Sequence, residues 1–289
     1  MTLRRALTWS ACLIFAGLAA LWLFGTAMGW PHHTTVSPPR FPAQQVRLRS
    51  SDGIELVGNY WPGRRADGPA VLLLHGINSS RASFDRHARW LNNLGYAVLA
   101  IDFRGHGGSQ AAPRTFGLYE SRDALAAVQF LRSRYPDRKI GVVATSLGGA
   151  AALLGDEGPL PVQSMVLQAV YPDLRYAIAN RVSTLAGSFA VPLIEPLLSY
   201  QSWLRYGVGP DRISPAKGLA HFRNAVLIIG GEADGSTTPA DTMALYRAAA
   251  GPKSLWLLPG VGHSATGSIF SPAYRAKVLT LFHSTLGPP

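Results

Sequence analysis

From residue 70 onward, short β-rich runs alternate with segments of helical period. The β-rich runs are Ala70–Leu74, Tyr96–Ile101, Ile140–Ala144, Val162–Ala169, Ala225–Ile229 and Ser254–Leu258. Short, mainly apolar runs between turn residues read as strands buried on both faces. Between them, Arg81–Leu94 carries Phe84, Ala88, Leu91 and Leu94 on one helical face, and Tyr119–Tyr135 carries Ala124, Ala127, Val128 and Leu131. Leu147–Leu154, Pro239–Ala250 and Pro272–Leu286 complete the expected helices. The alternation predicts an α/β fold with a mostly parallel central sheet and helices on both faces. Ahead of it, Gln45–Ser50 and Ile54–Trp61 flank Ser51-Asp52-Gly53 and predict a hairpin. Ligands of such sheets bind beyond the carboxyl ends of the strands, so the loops there are where chemistry is expected.

The first thirty residues have a different pattern. Arg4 and Arg5 precede a stretch from Ala6 to Trp30 without a charged residue, apolar on every side. Some 20–25 helical residues span about 30–37 Å, enough for a bilayer core. Trp9 and Trp30 mark its ends, where amphipathic rings favour the interface. The preferred reading of 1–30 is an uncleaved membrane anchor with the arginines cytoplasmic and the catalytic domain on the extracytoplasmic side. The alternative is a signal peptide cleaved near Gly25-Thr26-Ala27, which makes the domain secreted. Residues 31–44 hold Pro31, Pro38, Pro39 and Pro42 and read as an extended tether that holds the domain off the membrane; 45–289 is the expected domain.

Composition narrows the function classes. The 289 residues are 47% hydrophobic, enough for one large core. The formal charge of +11 is almost all arginine, since only Lys139, Lys217, Lys253 and Lys277 are lysines. The arginines are dispersed and no nucleic-acid motif accompanies them, so no nucleic-acid partner is expected. The single cysteine, Cys12, lies in the N-terminal apolar segment, and there is no His-Glu-x-x-His. Neither a metal nor a disulfide is expected. Gly105-x-Gly107-Gly108 is too short for a dinucleotide fingerprint, so no cofactor is expected either.

The run Ile140-Gly141-Val142-Val143-Ala144-Thr145-Ser146-Leu147-Gly148-Gly149 places a serine at the apex of a strand–turn–helix. A nucleophile held there needs small residues two before and two after, because strand and helix approach closely. Here they are Ala144 and Gly148, with Ala where the usual pattern has Gly. The turn also presents the Leu147 N–H at a helix N-terminus to a developing oxyanion. The competing role for Ser146 is that of a plain helix cap.

With that turn, the chain resembles the α/β-hydrolase superfamily from about residue 45 to its C-terminus. Leu73-Leu74-His75-Gly76-Ile77 resembles the His-Gly turn after the family's third strand, and the resemblance gives the second oxyanion N–H to Ile77. Asp102-Phe103-Arg104-Gly105-His106-Gly107-Gly108-Ser109 resembles the turn after the fourth strand, and Gly260-Val261-Gly262-His263 the loop of the catalytic histidine. The family's order of Ser, then Asp or Glu, then His points to Asp234 in Gly231-Glu232-Ala233-Asp234 as the acid. Glu232 is its nearest rival, and Asp241 lies in the following helix. His263 is the expected base. His32 and His33 fall in the tether, His87 and His283 on helices and His221 before a strand; His75 and His106 are expected to hydrogen-bond near the site.

Residues 171–219 exceed a normal crossover and carry apolar patches, among them Leu185, Phe189, Leu193, Leu198 and Trp203. The resemblance implies a small cap over the nucleophile; plain crossover helices are the alternative. The function expected is a serine hydrolase of carboxylic esters or thioesters, acting on a small-molecule ester or lipid-like substrate. A peptidase or amidase of the same fold and a non-catalytic membrane-tethered binding protein are the alternatives.

Overall fold

The structure, a computed structural model, describes residues 3–156 and 158–289; Met1 and Thr2 of the predicted anchor lie outside the described residues. The chain begins with α1 (Leu3–Gly29), then the hairpin β1 (Gln44–Arg49) and β2 (Glu55–Trp61). Next come β3 (Ala70–Leu74), α2 (Asp85–Leu94), β4 (Ala97–Ile101), α3 (Glu120–Arg134), β5 (Ile140–Thr145), α4 (Leu147–Leu153) and β6 (Ser164–Gln168). The insertion follows as α5 (Leu174–Ala186), α6 (Val191–Ser199), α7 (Gln201–Tyr206) and α8 (Pro215–Leu219). The chain closes with β7 (Ala225–Gly231), α9 (Pro239–Ala248), β8 (Lys253–Leu258), α10 (His263–Gly267) and α11 (Pro272–Leu286).

The strands form one eight-stranded sheet in the order β1-β2-β4-β3-β5-β6-β7-β8. β2 runs antiparallel to both its neighbours, β1 and β4, and β3 to β8 run parallel to one another. Every residue of β3 is buried, as a strand covered on both faces requires. Its period of two divides the core: Leu72 and Leu74 pack with Ala124, Ala127, Val128 and Leu131 of α3, while Val71 and Leu73 pack with Ala88 and Leu91 of α2 and Val278 and Phe282 of α11. The order reverses at β3, whose neighbours are β4 and β5. The crevice of such a sheet opens there, beyond the carboxyl ends of β3 and β5.

Local chemistry sets the helix ends. Thr238 and Asp241 form a capping box ahead of α9, and Ser271 accepts from the Tyr274 N–H ahead of α11, each with proline at the first turn. Gly95, at φ 114°, stops α2. The expected helix over Arg81–Leu94 therefore opens with a 3-10 turn over Arg81–Phe84 and ends at Leu94, which is exposed rather than on the buried face.

The proline-rich stretch 31–44 is mostly without regular structure, yet its start is fastened to the domain. The His32 N–H donates to Gly105 O (2.6 Å), His33 Nδ1 lies 3.2 Å from Gly107 O, and the Arg114 N–H donates to Gly29 O (2.9 Å). Instead of swinging on a free spacer, α1 leaves the domain from a point set by these hydrogen bonds.

Candidate active site

β5 enters the turn at Thr145 and α4 leaves at Leu147, so Ser146 carries the whole reversal. Its backbone sits at φ 49°, ψ −112°, a sparsely populated region for a residue with a Cβ. The turn is held from β6, where Gln168 O accepts the Ser146 N–H at 2.8 Å. A Cβ at Gly148 would collide with the carbonyl oxygens of Leu74 and His75, which is why this position is glycine. Ala144 packs fully buried in the core, so the extra methyl two residues before Ser146 has room.

The two expected oxyanion donors flank this turn. Leu147 is the first residue of α4, where an N–H has no intrahelical partner. Among the described residues, neither its N–H nor that of Ile77 donates to another backbone oxygen. The loop bearing Ile77 lies against the serine: a Cβ on Gly76 would sit 3.6 Å from that of Ser146.

His75 anchors that loop. The Phe103 N–H donates to His75 Nε2 (3.2 Å), so Nδ1 carries the proton and donates to Gly76 O (2.7 Å). Burial pushes its pKa down to about 4, and that of neighbouring His106 down to about 3. Both are neutral structural groups beside the site, in keeping with the expectation for them.

Asp234 lies in the loop after β7 with its side chain fully buried. Its Oδ1 accepts the N–H groups of Ser236 and Thr237, each at 2.8 Å, and its Oδ2 faces His263 Nδ1 at 2.8 Å. His263 begins α10, a short helix the sequence pattern did not reveal. Of the rival acids, Glu232 is exposed, and Asp241 is occupied in its capping box and by Asn180 Nδ2 at 2.6 Å. Of the remaining histidines, His87 is buried among Phe84, Phe270 and Tyr274, and its pKa falls to about 4 by burial. His221 and His283 are exposed.

Ser146 and His263 line one cavity of about 640 Å³. The insertion covers it: Leu174, Ile178 and Val182 of α5 form an apolar wall. Asn180 ties α5 to the loop after β7 and the start of α9 through Ser236 O (3.2 Å) and Asp241, and Arg175 holds α6 through a two-pronged pair with Glu195 (2.9 and 2.7 Å). Two contributors had no signal in the sequence. Gln168 ties the serine turn to α10, since its Nε2 donates to Thr266 O at 3.0 Å. Phe24, Gly25 and Met28 of α1 close another side of the cavity.

Comparison with known proteins agrees with this architecture. Residues 69–200 match the family model described as the alpha/beta hydrolase fold. An uncharacterized protein of Mycobacterium tuberculosis is 30% identical over 244 residues, covering 83% of this chain and 78% of that one. Mouse monoglyceride lipase is 30% identical over 135 residues, 45% of each chain. An esterase of Pyrococcus furiosus superposes with a TM-score of 0.69 at 23% identity, covering 88% of this chain and all of that one. The parallel sheet reversing at β3, the strained serine turn and these matches lead to one assignment: the chain belongs to the α/β-hydrolase fold family.

Proposed function

We propose that the protein is a serine hydrolase that cleaves carboxylic esters or thioesters through an acyl-enzyme. The observation that carries this reading is the strained Ser146 turn opening into the same cavity as a histidine already paired, through Nδ1, with a buried carboxylate. Ser146 Oγ attacks the carbonyl while His263 Nε2 takes its proton. Asp234 holds the imidazole in the tautomer with the proton on Nδ1 and stabilises the imidazolium. The Leu147 and Ile77 N–H groups receive the oxyanion. His263 then protonates the leaving alcohol or thiol and activates the water that releases the acid. The esterase and lipase names among the similar proteins favour esters.

The membrane part of the reading rests on α1. Within Leu7–Gly29 an 18-residue window has a mean hydropathy of 2.0 and no buried residue. The helix anchors the domain, with Arg4 and Arg5 on the cytoplasmic side.

The test is fluorophosphonate labelling of the wild type beside Ser146→Ala, followed by a p-nitrophenyl ester series from C2 to C16. Labelling lost in the variant, with kcat lowered about 10⁶-fold, supports the reading. A folded wild type that neither labels nor turns over esters refutes it.

A further inference from the structure

The last third of α1 is bound to the cap by specific bonds. Gln201 Nε2 donates to Leu21 O (3.0 Å), and Arg205 Nη2 donates to Trp22 O (2.7 Å) and Thr26 Oγ1 (2.9 Å). The Arg205 guanidinium also lies 3.9 Å from the centre of the Trp22 ring. Gly25 permits the approach, since a Cβ there would collide with the Gln201 side chain. From this seat Phe24 and Met28 reach the cavity that holds Ser146 and His263.

The outer face of the cap is apolar and uncovered. Phe189 is 86% exposed, Leu193 72%, Trp203 62% and Leu204 66%. Large apolar side chains grouped on a surface mark a contact with something apolar. The clasp says what that is. Leu21 to Met28 covers about 10 Å at the domain end of α1. In a helix that crosses a hydrocarbon core of about 30 Å, that depth lies within one leaflet. The cap is held at the depth of the residues it grips, so its exposed face is continuous with the lipid-facing surface of α1, where Leu23 is 66% exposed.

We propose that the catalytic cavity opens into the leaflet next to the domain. The outer cap face lies among acyl chains, α1 forms one wall of the acyl pocket, and the substrate is a bilayer-resident lipid ester with a long acyl chain that enters along α1. This rests on the ester-hydrolase reading above and assigns that site its substrate class.

The test uses the full chain in phosphatidylcholine liposomes. In a Cys12→Ser background, single cysteines at Phe189, Leu193 and Asp67 carry an NBD fluorophore; Asp67 is exposed at the opposite, amino-terminal edge of the parallel strands. The expected result is blue-shifted emission at 189 and 193, quenched by lipids bearing a nitroxide on the acyl chain, and solvent-like emission at 67. Solvent-like emission at 189 and 193 overturns the proposal, and a blue shift without quenching overturns it by putting a second copy there. The wall is tested with Met28→Trp: the ratio of turnover on C12 to C4 esters falls at least about tenfold. An unchanged ratio in a protein that still labels with fluorophosphonate overturns the proposal alone; absence of labelling in the wild type overturns the hydrolase reading and this proposal with it.

Discussion

His263 Nδ1 lies 2.8 Å from Asp234 Oδ2, while the other oxygen of the same carboxylate accepts two backbone N–H groups. Asp234 is therefore clamped before it meets the imidazole, and the imidazole inherits that orientation. Asp234→Asn keeps the shape but presents an N–H or a neutral oxygen to Nδ1. It is expected to lower kcat about 10⁴-fold on short esters. Glu232→Gln is expected to leave kcat within a factor of two or so, because its side chain is exposed. Steady-state kinetics of the pair checks the assignment; equal losses would remove Asp234 from its role.

The serine turn predicts an asymmetry between its two small neighbours. Gly148→Ala drives a methyl into the Leu74 carbonyl, a backbone group that cannot step aside. Overpacking of this kind costs about 1–3 kcal/mol and lowers Tm by several degrees, at about 2–4 °C per kcal/mol for a domain of this size. Activity should fall with it, since the turn itself is displaced. Ala144→Gly removes a methyl that already fits, and the expected result is a folded, active enzyme. Thermal melts and ester turnover on both variants decide the point.

Acid should destabilise the fold through three buried imidazoles. Above pH 6.5, His75, His87 and His106 are neutral in the folded and the unfolded chain and contribute nothing to the pH dependence. Below it the unfolded chain binds protons that the folded chain refuses until its pKa values of about 4, 4 and 3 are reached. Stability therefore falls as pH drops from 6.5 towards 4, by up to about 1.4 kcal/mol per pH unit for each imidazole. Urea unfolding at pH 7 and pH 5 measures it, and His87→Leu should flatten the slope by about one proton's share. Equal stability at the two pH values would contradict the assignment.

Asn180 joins the cap to the loop that carries Asp234. Asn180→Ala removes both bonds while Asp241 keeps its bonds to Thr238. Loss of about 1 kcal/mol of cap closure is expected to raise KM about fivefold on long-chain esters. A KM unchanged across the chain-length series would show that the cap is held without it.

The fold was largely legible because its signals are local. β3 was bounded to the residue, since its run of apolar residues is buried on both faces and stops at His75. α11 was bounded equally well by Ser271-Pro272 and Gly287. The insertion folds as α5 to α8, and how these helices lie is not legible in the sequence, because their apolar residues line the cavity, as Leu185 and Leu198 do, or lie exposed, as Phe189 does.

Sequence by itself determined the alternation of strands and helices, the serine turn and the apolar N-terminal helix. Each depends on residues close together in the chain: period, caps, turn glycines and motif spacing. Only the tertiary structure decided that Asp234 rather than Glu232 meets His263, because two carboxylates two residues apart differ in which one the β7–α9 loop turns inward. It alone decided that Gln168 anchors the serine turn and that α1 walls the cavity. The Leu21–Gln201 and Trp22–Arg205 contacts join residues some 180 positions apart through helix carbonyls that every sequence possesses, so no residue pattern announces them.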